Sequence, residues 1–126
     1  MTATDLEDSA LELAKQKAIN QGVDIAVQKV DLRDDLPFGN NSFDVVYAHL
    51  SLHYFDYETT RRLIGEIERV LKPGGTLAFL VNSVHDPEYG QGDQIEPDYF
   101  KINEVVKRYF SETTARKLVQ YYDINL

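Results

Sequence analysis

The sequence predicts an α/β fold with a largely parallel sheet, on three observations. Short apolar runs rich in β-branched residues recur at Ile25 to Val30, Phe43 to Ala48 and Thr76 to Val81. Stretches with apolar residues at helical spacing lie between them, so strand and helix alternate. The two later runs are almost wholly apolar, the pattern of strands buried on both faces of a parallel sheet.

Each element has a local reason. Residues 1–4 read as an extended stub, and Asp5 is placed to cap a first helix with Asp8 in its first turn. Leu6, Ala10, Leu13, Ala14 and Ala18 fall on one face of that helix, and Gly22 ends it. Arg33 to Ser42 holds Pro37, Gly39, Asn40 and Asn41 and reads as a loop. Asp56 caps a second helix whose inner stripe is Leu63, Ile64, Ile67, Val70 and Leu71, with Arg61, Arg62, Glu66 and Glu68 outward. Pro73-Gly74-Gly75 stops it. Residues 82–97 turn polar and glycine-bearing, as a lid-like loop does. Tyr99, Ile102, Val105, Val106 and Tyr109 then recur at helical spacing and predict a helix. Ser111 caps a short one carrying Ala115, Leu118 and Val119, and Tyr121 to Leu126 closes the chain as a strand.

Composition narrows the function classes. At 126 residues and 43% apolar content, the chain is expected to form a single domain, 1–126, with a real core. A net charge of −8 argues against non-specific binding to nucleic acid or to anionic membranes. Without cysteine there is no thiolate nucleophile and no disulfide framework. The first twenty residues are too charged for a signal peptide or a membrane span, so a cytoplasmic protein is the expectation. His49 and His53 sit four apart, but no third ligand accompanies them, and no metal site is expected.

Three strings carry a family likeness: Val30-Asp31-Leu32 with Leu36-Pro37-Phe38 shortly after it, Ser42-Phe43-Asp44-Val45-Val46-Tyr47-Ala48, and Leu71-Lys72-Pro73-Gly74-Gly75-Thr76-Leu77. Their order and wording resemble the second half of a class I S-adenosylmethionine-dependent methyltransferase. The resemblance implies a partial Rossmann-like, three-layer α/β fold with a mostly parallel sheet. It implies S-adenosylmethionine as cofactor and methyl transfer to a small-molecule substrate.

It also implies roles. Asp5 and Leu6 match the end of the family's second strand, where an acidic residue holds the ribose hydroxyls. Asp31 and Leu32 match the pair that receives the adenine amine and packs on its ring. Ala48 and His49 match the segment along the cofactor's sulfonium side, with His53 and Tyr54 toward the substrate as the candidate catalytic pair. The chemistry is consistent, since carboxylates accept hydrogen bonds from a diol or an amine, and open α/β sheets bind ligands at the carboxyl ends of their strands.

Against the family pattern, no first strand and no glycine-rich turn precede Asp5. Gly90-Gln91-Gly92 does not replace that turn. A sheet lacking its central strand leaves unpaired edges and open apolar faces, for which three remedies are open: a partner chain fills the gap, the remaining strands re-pair, or the parent protein is longer. The expectation is a homo-oligomer formed through strand edges or exposed core. A rival expectation is a non-catalytic remnant of the fold that acts by association. A fragment of a dinucleotide oxidoreductase is the weaker alternative, for want of a phosphate cradle.

Overall fold

Two parallel strands joined by a helix open the chain. The computed structural model describes residues 1–120, so the strand expected over 121–126 lies outside the described residues. Strand β1 (Thr2–Asp5) leads into helix α1 (Asp8–Asn20), which returns the chain to strand β2 (Ala26–Lys29). The strands pair in parallel with Thr2 opposite Ala26 and Asp5 opposite Lys29. This βαβ unit belongs to the first of two compact units, Met1–Pro37 and Phe38–Leu126. Asp5 does not cap α1. It ends β1, and Glu7 stands at the cap position without a side-chain bond, while Asp8 supplies the first-turn carboxylate. The expected apolar face of α1 is also thin. Only Leu11 is buried, and Leu13 is 56% exposed.

The second unit is built around helix α2 (Tyr57–Val70), which follows strand β3 (Phe43–His49) and runs into strand β4 (Leu71–Leu80). The Asp56 carboxylate accepts from Thr59 N–H at 2.7 Å, as its place in the sequence predicts. Leu63, Ile64, Ile67 and Val70 are all buried, and α2 packs against β4. At the far end, the carbonyls of Arg69 and Val70 accept from Asn41 and Ser42, so the last turn of α2 positions the entry to β3. The helix stops at Val70, ahead of Pro73-Gly74-Gly75. Those residues instead loop out of the β3–β4 ladder, whose register jumps from Phe43–Leu71 to Val45–Thr76. Gly75 cannot be replaced there without movement, since a Cβ would meet Lys72 O at 2.8 Å and Asp44 O at 3.0 Å.

Strand β3 was expected to be buried on both faces, and it is not. Opposed residues of a parallel pair share a face, so Val46, Ala48, Leu77 and Phe79 point one way. On the other face, Val45 is 59%, Tyr47 67% and Leu80 50% exposed. The apolar run supplied two apolar faces, and α2 covers one strand pair on one side only. Among the described residues β1–β2 and β3–β4 are separate two-stranded sheets.

The helix expected over Tyr99 to Tyr109 is absent. Strands β5 (Asp93–Glu96), β6 (Tyr99–Ile102) and β7 (Val105–Arg108) form an antiparallel meander instead. Asp98 and Asn103 take positive φ, 62° and 55°, in its two-residue turns. Asn tolerates that region, and aromatic and β-branched residues flank it, so hairpin chemistry prevails over a helical spacing that was also present. Ser111 caps helix α3 (Glu112–Leu118) in a reciprocal capping box with Thr114, as expected.

Leu63, fully buried in the stripe of α2, and Leu13, exposed on α1, make a calibrated pair. Leu63→Ala is expected to lower the unfolding free energy by about 2–5 kcal/mol. Leu13→Ala should change it by no more than about 0.5 kcal/mol. Urea denaturation of both variants checks this.

Candidate functional site

In the first unit the sheet register brings two candidate carboxylates to neighbouring strand ends. Asp5 is the last residue of β1, and its carbonyl accepts from Val30 N–H at 3.0 Å, one residue before Asp31. Both side chains therefore sit at the carboxyl ends of adjacent parallel strands. The Asp5 carboxylate is exposed and accepts from Glu7 N–H at 3.0 Å through Oδ1. Leu6 beside it is 44% exposed.

Asp31 is gripped by Arg33. Its Oδ1 accepts from the Arg33 backbone N–H at 2.9 Å and from Nε at 3.0 Å, while Oδ2 accepts from Nη2 at 2.8 Å. The Arg33 side-chain and backbone hydrogen bonds hold the Asp31 carboxyl below its ordinary value, so it stays ionised with its orientation set. An acceptor site remains on Oδ2, because each carboxylate oxygen accepts about two hydrogen bonds and Oδ1 already takes two. Leu32 next to it is half-buried.

In the second unit Ala48 is buried and His49 exposed at the end of β3, where His49 pairs with Leu80. Leu50 then takes a φ of 51°, a strained value for a residue with a Cβ, and donates its N–H to Leu80 O at 2.9 Å. This kink breaks the strand, and no helix places His49 and His53 on a common face. His53 is buried at 2% exposure, with Nδ1 enclosed and without a hydrogen-bond partner. Its ring meets Tyr54 edge-on at 4.5 Å. Burial, helped by the nearby Lys107 charge, pushes the imidazole below its ordinary value, so it is neutral at pH 7. Tyr54 is 42% exposed, and its carbonyl accepts from the Tyr99 hydroxyl at 3.3 Å. Among the described residues no group of three or more His, Cys, Asp or Glu side chains could hold a metal.

The sequence does not mark the residue that secures this segment. Arg108, only 5% exposed, donates from its backbone N–H to His53 O at 2.7 Å and from Nε to Phe55 O at 3.2 Å. Its Nη2 meets Glu96 Oε2 at 2.5 Å, and the same oxygen accepts from Tyr57 N–H at 3.0 Å. The guanidinium also lies over the Tyr99 ring, 4.7 Å from its centroid. An Arg at the end of a strand is ordinarily a surface residue, so its burial became legible only with the meander in place.

The family profile described as methyltransferase domain matches residues 1–79. A ubiquinone/menaquinone biosynthesis C-methyltransferase, UbiE, of Neisseria gonorrhoeae is 33% identical over 91 residues, which are 71% of this chain and 36% of that protein. The chain thus spans about a third of the length of that relative. A solved SAM-dependent methyltransferase from Methanosarcina mazei superposes with a TM-score of 0.79, covering 95% of this chain and 66% of that one at 23% identity, a likeness of fold. The cyclase SpnF shares 32% identity over 62% of this chain and 28% of its own, with a TM-score of 0.54. Among the described residues no helix is long and apolar enough to cross a membrane.

The buried imidazole makes stability depend on pH. Its folded value lies below the ordinary 6.5, so the unfolded chain binds the proton first as pH falls. Stability should be full above about 6.5 and decline below it, until the folded imidazole also protonates. The urea midpoint measured from pH 8 to 5 is expected to fall in the wild type and to fall less in His53→Gln. Parallel curves would remove His53 as the source.

Proposed function

Because this chain belongs to the methyltransferase-domain family, we propose that it serves S-adenosylmethionine-dependent methyl transfer to a small molecule. The observation that carries the reading is the pair Asp5 and Asp31 at the carboxyl ends of adjacent parallel strands, each followed by a leucine. These residues fit the adenosine part of the cofactor. Asp5 has one oxygen free of protein donors to receive ribose hydroxyls, and the fixed, ionised Asp31 keeps an acceptor site on Oδ2 to receive an amine. Leu6 and Leu32 supply apolar surface for a ring. When bound, the cofactor supplies a methyl group already activated on a sulfonium.

What remains for the protein is alignment, exclusion of water and, for some acceptors, removal of a proton. His53 suits the last task. It is neutral at pH 7, its Nδ1 lacks a partner, and Arg108 anchors the backbone on which it stands. Because Nδ1 is enclosed, it would serve as a base only for an acceptor that reaches it on binding. Ala48 and His49 are assigned to the sulfonium side and Tyr54 to the acceptor side, from their order after β3 and the family resemblance.

A second reading has its own support. SpnF is named as a cyclase, so likeness to this fold does not by itself fix the reaction. The open face of Val45, Tyr47 and Leu80, beside strands with unshared edges, favours a chain that associates with a second copy and does no chemistry.

Calorimetric titration with S-adenosylhomocysteine is expected to show saturable binding, weakened at least about tenfold in Asp31→Ala, the equivalent of one charge-assisted hydrogen bond or more. No heat from folded protein would overturn the first reading. For the second, light scattering is expected to give the mass of a dimer. A monomer at all concentrations would overturn it.

A further inference from the structure

The β6–β7 hairpin, with Glu88 beside it, lines a half-open slot of about 260 Å³ to which the cofactor residues do not contribute. Its apolar lining is Phe100, Ile102, Val105 and Tyr109, and its charged groups are Glu88 and Lys107. The register explains the lining. Phe100 opposes Lys107 and Ile102 opposes Val105, so all four side chains leave the same face of the hairpin. The other face carries Tyr99 and Arg108, already occupied with Phe55, Glu96 and Tyr57.

The cavity is preformed. Tyr89 meets the rings of Phe100 and Tyr109 edge-on at 5.6 and 5.5 Å, and its hydroxyl donates to Asp98 Oδ1 at 2.6 Å. Gly92 lies so close to Lys101 O that no side chain fits there, which ties the 82–92 segment to β6. The apolar part of Val105 remains 48% exposed at the mouth.

Its charges are unequal. Lys107 Nζ pairs with Glu88 Oε2 at 3.0 Å, with the lysine 33% and the glutamate 55% exposed. A half-exposed glutamate on a mobile-length side chain is a weak, screened partner that another carboxylate can replace. The lysine, by contrast, lines the slot and is two-thirds covered. The residue after Lys107, Arg108, donates its backbone N–H to His53 O at 2.7 Å, so a ligand anchored on the ammonium would lie beside the segment proposed to face the acceptor.

We propose that this slot is the acceptor subsite and takes a small aromatic carboxylate, with its ring against Phe100, Ile102 and Val105 and its carboxylate on Lys107 in place of Glu88. A flat ring matches edge and face contacts with Phe100 and Tyr109, and the volume suits one or two fused rings. The acceptor role rests on the methyl-transfer reading, whereas the binding site stands independently of it.

The test is ligand-observed NMR titration of the full chain with 2-naphthoate and with uncharged 2-naphthylmethanol. The wild type should bind the carboxylate about tenfold tighter, the size of one charge-assisted contact. Lys107→Met should erase that preference while still binding the alcohol. Val105→Trp, at an exposed position, should weaken both by filling the mouth. No saturable naphthoate binding, or a preference that survives Lys107→Met, overturns the site. S-adenosylhomocysteine titrations of the same variants separate the two claims. If naphthoate binds as described and S-adenosylhomocysteine never does, the slot stands and its acceptor role falls.

Discussion

A cation that is only 5% exposed must be paired, and the arrangement of the second unit follows from how Arg108 meets that demand. One carboxylate, two backbone carbonyls and two tyrosine rings surround its guanidinium. These partners come from the end of β5, the turn before β6, β6 itself, the segment between β3 and α2, and the first residue of α2. Glu96 is shared, since it also takes the N–H of Tyr57 in the first turn of α2, a group the helix itself cannot satisfy. Removing Glu96 would leave the Arg108 charge buried without a carboxylate, whereas Glu96 itself is a third exposed. The pair therefore specifies where the meander docks more than it adds stability.

The same contact sets up the chemistry. Residues 50 to 55 leave β3 through a strained leucine, and the bonds from Arg108 to His53 O and Phe55 O join the Tyr99 bond to Tyr54 O and the buried Leu52 in fixing them. With them, the imidazole of His53 is held in a dry place with one nitrogen unpartnered. Lys107, the next residue along β7, points from the opposite face of the hairpin into the apolar slot. Two consecutive basic residues thus divide the work by strand alternation, Arg108 inward as a fastener and Lys107 outward as a ligand contact.

Elsewhere the fold leaves apolar surface uncovered. Val45, Tyr47 and Leu80 belong to strands whose sequence suits burial on both sides, yet α2 covers one side alone. That mismatch between sequence pattern and cover is what gives the association reading its physical basis.

What the sequence by itself determined was local. Asp56 and Ser111 cap their helices because a side-chain oxygen reaches an N–H three residues on, and the stripe of α2 follows from 3.6 residues per turn. The α/β class and Asp31 at a strand end were legible for the same reason, since each rests on a short run and the residue that closes it, whereas Asp5 at a strand end was implied by the family resemblance alone. Tertiary structure decided the rest. Tyr99 to Tyr109 carries both a helical spacing and a hairpin turn, and pairing with β5 selects the hairpin. Asp5 could have capped α1, but pairing of β1 with β2 draws it into the strand end. The burial of Arg108 and His53 depends on partners up to 53 residues away in the chain, and no local pattern encodes a contact at that range.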